Sequence, residues 1–123
     1  MKTVAIIGAS NNPNKFGNKA VRAYLKKGWT VYPINPKEAL IGDLRAYKSV
    51  LEAPQPIDRV SLYVPSDVGL AVINDIAQAA PKELFINPGA ESDELISQAK
   101  KLGLEPIQAC SIRDIGEDPN EYK

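Results

Sequence analysis

The chain has no histidine and only one cysteine, Cys110, among its 123 residues. A lone cysteine forms no internal disulfide, and without imidazole the usual zinc sites and the Ser-His and Cys-His nucleophiles fall away. Net charge is missing too: Lys+Arg number 15 and Asp+Glu number 15, for a formal net charge of +0. No overall field therefore favours a polyanion, and nucleic acid is not an expected partner. No apolar run approaches the roughly 18 residues that a membrane-spanning helix needs. Met1-Lys2-Thr3 leads into a strand pattern rather than a secretory leader, so neither a membrane nor an export route is expected, and the location expected is cytoplasmic. Solenoid repeats and low-complexity stretches are also lacking. What remains, 44% hydrophobic and 24% charged residues, suits one compact globular domain over residues 1–123.

The positive signal is an alternation of two periodicities. Thr3 to Gly8 (TVAIIG) is a β-branched apolar run ending in glycine, as in a strand buried on both faces of a parallel sheet. Val21, Tyr24, Leu25 and Gly28 then fall at helical spacing, with Asn18 placed to cap the start and Gly28 to end the helix. A second strand is expected at Thr30 to Ile34, a loop over 35–43, a short helix near Ala46 to Leu51, and a third strand at Arg59 to Val64. Ser66 is placed to cap a helix whose buried stripe is Gly69, Val72, Ile73, Ile76 and Ala80. A strand at Glu83 to Ile86, a helix opened by Ser92, Asp93 and Glu94 and closed by Gly103, and a strand at Glu105 to Gln108 complete the pattern. Residues 114–123 are polar and suit a surface tail, with disorder expected. Five strands alternating with helices predict an α/β Rossmann-like domain: a five-stranded parallel sheet, order 3-2-1-4-5, with helices on both faces.

Open parallel sheets bind ligands beyond the carboxyl ends of the strands, where the strand order reverses. With the expected order that point lies between strands one and four. Four segments converge there: Gly8 to Gly17, Asn35-Pro36-Lys37, Tyr63-Val64-Pro65-Ser66 and Asn87-Pro88-Gly89-Ala90. The first exceeds the about 2–6 residues usual for a strand-to-helix turn. It pairs glycines, which allow close backbone approach, with a helix start and the donors Ser10, Asn11 and Lys15, as a phosphate site requires. A dinucleotide fingerprint would place glycines at positions 10 and 13, where Ser10 and Pro13 stand. The acid expected after strand two for a ribose is replaced by Asn35-Pro36-Lys37, and a lysine there suits a phosphorylated ribose. NADP and coenzyme A both carry one, so the residues alone reach a phosphorylated adenine nucleotide. Asp58, Asp67, Glu91, Asp93, Glu94 and Asp114 offer no spaced pair that compels an acid/base role, and Cys110 has only Arg113 as a nearby cation in sequence. No catalytic residue is assigned.

Val4 to Ser10 (VAIIGAS), Gly17, the stretch Gly28 to Lys37 (GWTVYPINPK), Tyr63-Val64-Pro65 and Asn87-Pro88-Gly89 together give the chain its resemblance. It resembles the small stand-alone CoA-binding domain proteins, which are similar to the nucleotide-binding domain of the succinyl-CoA synthetase α subunit. The resemblance implies binding of coenzyme A or an acyl-CoA. Gly8, Ala9, Ser10, Lys15, Phe16 and Gly17 would serve the pyrophosphate and pantetheine; Asn35, Pro36 and Lys37 the 3′-phosphate end; Tyr63, Val64 and Pro65 the adenine or pantetheine wall. Asn11, Asn87, Pro88 and Gly89 complete the expected site. The synthetase α subunit carries a phosphorylated histidine in a second domain, and this chain has no histidine, so ligase activity is not implied. The expected role is a binding module without chemistry of its own. An NAD(P)-binding redox enzyme or regulator is the alternative from the fold. The chain is expected to act as a homo-oligomer or as a subunit docked on a larger acyl-CoA enzyme.

Overall fold

The computed structural model describes residues 2–123. Its main sheet has five parallel strands: β1 (Thr3–Ile7), β2 (Thr30–Ile34), β5 (Arg59–Leu62), β6 (Glu83–Ile86) and β7 (Pro106–Gln108). A small antiparallel hairpin, β3 (Leu40–Ile41) with β4 (Leu44–Arg45), stands apart from it. Helices α1 (Phe16–Lys26), α2 (Ser66–Ala79), α3 (Asp93–Lys101) and the single turn α4 (Ser111–Asp114) follow in order. Strand side chains alternate between two cores. Val4 and Ile6 face Ala20, Val21 and Tyr24 of α1, whereas Ala5, Ile7, Val60 and Leu62 face Ile73 and Ile76 of α2 and Leu95 of α3. The Rossmann-like α/β class and the two helical layers are therefore as the sequence implies.

The strand order is not. The sheet runs β2-β1-β5-β6-β7, which is 2-1-3-4-5 among its own strands in place of 3-2-1-4-5. The third strand pairs with β1, Val4 opposite Arg59, because the outer edge of β2 is already taken. Tyr47 bridges there, donating N–H to Pro33 O and accepting from Asn35 N, both at 2.9 Å. Pro33 itself carries the signal: a strand proline lacks a ladder donor and belongs at an edge, with its missing N–H turned outward. The short helix expected near 46–51 is also absent as such. The hairpin, turned at Gly42, fills the first half of the connection, and a 3-10 turn over Val50–Glu52, capped by the Ser49 hydroxyl, fills the second.

Residues 114–123 are ordered, contrary to the expected disorder. Pro119 is buried, a 3-10 turn spans Pro119–Glu121, and Ile115 and Tyr122 pack on the α1-side core. The segment reads as polar because apolar residues at wide spacing carry its packing. Two expected caps also differ. Lys15 precedes α1, so Asn18 lies inside the helix, and Pro65 precedes α2, so Ser66 is its first residue.

Two carboxylates fasten the periphery and set the acid response. Asp58 accepts from Thr3 N at 2.8 Å and from Lys82 at 3.3 Å; Glu117 accepts from the Tyr122 hydroxyl and from Lys26 at 3.1 Å. The Thr3 backbone hydrogen bond and the Lys82 contact hold Asp58 below its ordinary range, and Tyr122 and Lys26 do the same for Glu117. With folded-state values below the unfolded ones, the unfolded chain binds protons first as pH falls. Their stabilisation is complete above the ordinary carboxylate range and disappears as pH drops through the folded values. Thermal melts are expected to fall away below about pH 4. An Asp58→Asn/Glu117→Gln double variant should show a shallower acid limb, and an unchanged limb would refute this assignment.

Candidate functional site

The reversal of strand order falls between β1 and β5, not between the first and fourth strands. Beyond their carboxyl ends the structure opens into a cavity of about 920 Å³. The four segments expected to converge do so on its wall. The β1–α1 loop and the start of α1 contribute Gly8, Ala9, Ser10, Lys15, Phe16 and Gly17; β2 leads into Asn35, Pro36 and Lys37; β5 leads into Tyr63, Val64 and Pro65; β6 leads into Pro88 and Gly89.

Two glycines let these ends come together. Gly8 has φ +93°, and a Cβ there would lie 2.7 Å from Tyr63 O and 3.0 Å from Val64 Cγ1. At Gly17 a Cβ would lie 2.0 Å from Gly8 O, so the first turn of α1 rests directly on the loop backbone. The loop is then tied down from outside. Asn35 Nδ2 donates to Ala9 O at 2.9 Å, and its Oδ1 accepts from Lys37 N at 2.8 Å. Ser10 Oγ accepts from Asn12 N at 3.0 Å, which leaves its own hydrogen to donate.

Neither α1 nor α2 has a side-chain cap at its N-terminus, and both start at the cavity. Their free backbone N–H groups and aligned dipoles favour negative charge. Lys15, Lys37 and Lys48 add cations against the single carboxylate Asp75, a local positive excess in a chain with none overall. Val50, Val64, Val68 and Val72 form an apolar stretch of the same wall, and Phe16 and Val68 stay exposed on it. The cavity can therefore hold a molecule with an anionic part and an uncharged, partly apolar part.

Two expected residues are not on the wall. Asn11 ties the loop to the hairpin, with Nδ2 to Leu40 O at 2.9 Å and Oδ1 from Gly42 N at 2.8 Å. Asn87 is buried; its Nδ2 donates to Ser61 Oγ and Leu62 O, both at 2.9 Å, and its Oδ1 accepts from Ser111 N at 2.9 Å. Ser111 Oγ in turn meets Tyr63 OH at 3.0 Å, and burial pushes the Tyr63 phenol well above its usual range, so it stays neutral. Lys48, Ser49, Val68, Val72 and Asp75 line the cavity without having been anticipated. The spacing of Val68, Val72 and Asp75 marks one face of α2 and was the available signal. Cys110 is half-buried against the α1-side core, away from the wall. Among the described residues no group of three His, Cys, Asp or Glu side chains could hold a metal, and no helix is long and apolar enough to cross a membrane.

Residues 2–114 match a family model described as a CoA binding domain. An ADP-forming acetate–CoA ligase of Methanocaldococcus jannaschii is 36% identical over 119 residues, 94% of this chain and 16% of the ligase. The alpha subunit of ADP-forming acetate–CoA ligase II of Pyrococcus furiosus is 30% identical over 115 residues, 85% of this chain and 25% of the subunit. The chain thus spans a quarter or less of these ligase relatives. Among solved structures, a conserved hypothetical protein of Pyrococcus furiosus superposes with a TM-score of 0.85 at 37% identity, covering 93% of this chain and 99% of that one.

Proposed function

The chain belongs to the family of CoA-binding domains, and from that premise we propose that it binds coenzyme A or an acyl-CoA in the cavity beyond β1, β2 and β5 and does no chemistry alone. The observation that carries the reading is one cavity that joins two uncapped helix starts and three lysines to a valine wall. Coenzyme A has the same division: a pyrophosphate and a 3′-phosphate, with an uncharged pantetheine arm between charge and thiol. Under this reading the loop from Gly8 to Gly17 meets the pyrophosphate, Asn35-Pro36-Lys37 the 3′-phosphate, and Tyr63, Val64 and Pro65 the adenine or pantetheine. Val68 and Val72 extend that wall.

Thermal melts with CoA, acetyl-CoA, dephospho-CoA, NAD and NADP test it. A ligand at about 100 times its dissociation constant adds about 2.7 kcal/mol, a rise of several degrees for a chain of this size. CoA and acetyl-CoA are expected to produce that rise and dephospho-CoA less of it. Lys37→Glu should weaken CoA about tenfold or more in calorimetry, since it replaces a charge-assisted contact with repulsion. The same variant should leave dephospho-CoA nearly unaffected. A response to NADP with none to CoA would move the protein to the redox class, and silence toward all five would remove the ligand assignment.

A second reading makes the chain a subunit that docks on a separate acyl-CoA-forming partner. It is favoured by the ligases in which a matching segment makes up a quarter or less of the protein. Size-exclusion chromatography with pull-down from native lysate tests it. A monomeric peak with no enriched acyl-CoA enzyme would count against it.

A further inference from the structure

The β1–α1 loop is held from behind by a side chain that never reaches the cavity. Arg22, on α1, donates from Nε to Asn18 Oδ1 at 2.8 Å and from Nη2 to Pro13 O at 3.0 Å. Asn18 passes the restraint on, its Nδ2 donating to Ser10 O at 2.8 Å. A peptide unit is planar and trans, so a carbonyl fixed on one side fixes the direction of the next N–H on the other. The bonds to Ala9 O and Ser10 O thus set the directions of the Ser10 and Asn11 N–H groups. Arg22 is itself held in place. Its Nη1 donates to Lys123 O at 3.3 Å, and its guanidinium lies 5.5 Å from the centre of the Tyr122 ring. Tyr122 is anchored in turn through Glu117, which pairs with Lys26 at 3.1 Å and Lys27 at 3.7 Å where α1 ends.

We infer that Arg22, braced by Tyr122, is a positioning residue that pre-orders the 10–15 loop for an anionic ligand, so affinity at the cavity depends on a segment that does not line it. This rests on the ligand reading above for its effect on affinity, but not for its effect on the loop. A long polar loop left free would lose backbone entropy on binding, and ordering it beforehand removes that cost from the binding step.

The two parts separate experimentally. In ligand-free protein, ¹⁵N relaxation is expected to give residues 10–15 near-rigid order parameters, about 0.85, falling toward 0.6 in Arg22→Ala while β1 and α2 keep theirs. Arg22→Lys, which restores one donor, should recover part of the order. Tyr122→Leu, which alters no residue of α1, should loosen the same loop to a smaller degree and serves if Arg22→Ala fails to fold. Calorimetry should then show CoA and dephospho-CoA weakened by the same factor, about tenfold, in contrast to the selective loss at Lys37. Unchanged order parameters at 10–15 in both variants would overturn the inference. Loosening of the loop in a protein whose wild type ignores CoA would instead overturn the ligand reading and leave the positioning role standing.

Discussion

Gly17→Ala is expected to destabilise the protein by about 3 kcal/mol, near the upper end of what overpacking one methyl group costs. The added Cβ would sit 2.0 Å from Gly8 O and 3.2 Å from Ala9 Cα. Neither neighbour is a flexible side-chain tip that swings aside. Gly8 N bonds to Ile34 O at 3.2 Å, and Ala9 O is held by Asn35, so the loop cannot recede without breaking its attachment to β2. Moving α1 instead would pull Ala20, Val21 and Tyr24 out of their packing on Val4 and Ile6. For a domain near this size the melting temperature should fall by roughly 10 °C. The same shift would displace the N-terminus of α1 from the cavity wall, so CoA stabilisation should weaken as well. Gly28→Ala is the control: nothing lies within 4 Å of its added Cβ, though φ +83° there imposes a smaller conformational cost. Equal melts for the two variants would show that the close α1 contact does not limit stability.

The two glycines illustrate what was legible beforehand. Composition and periodicity exposed the alternating α/β class because β1 is buried on both faces and so reads as a continuous apolar run, with amphipathic helical stripes following the strands. The positions of the binding loops were legible as well, since glycine, asparagine and proline cluster where the chain must turn at the carboxyl edge. Strand order was harder, because pairing is a long-range choice that no local pattern states. Pro33 held the one local hint, that β2 lies at an edge, and Tyr47 bridging its outer side made the hint good. Lys48 and Ser49 escaped notice because the connection between β2 and β5 has no periodicity of its own, and only tertiary packing brings it over the cavity. Asn11 and Asn87 stand off the cavity wall for one reason. Asparagine in a segment at the carboxyl edge of the sheet suits a ligand and suits a structural hydrogen bond equally, and both amides are already committed to protein partners.

Arg59→Ala is expected to cost about 3 kcal/mol while leaving ligand affinity intact, because the residue sits at the amino end of β5, remote from the cavity. Arg59 is buried in a central strand, an uncommon place for a charge. Its guanidinium bonds Glu83 Oε1 at 3.0 Å, Asp114 Oδ2 at 2.9 Å and Tyr24 OH at 3.2 Å, and lies 5.0 Å from the Trp29 ring centre and 4.3 Å from that of Phe85. Two contributions can be told apart. The carboxylates are 39% and 44% exposed, so without Arg59 they rehydrate, and the ion pairs alone are worth about 1 kcal/mol or less. The larger part is the volume packed between two aromatic rings and the satisfied Tyr24 hydroxyl. Arg59→Met, which keeps most of that volume, should therefore recover roughly half of the loss. Denaturant melts of the two variants decide it. If alanine and methionine cost the same, charge rather than packing holds this end of the sheet, and added salt should then weaken the wild type toward both variants.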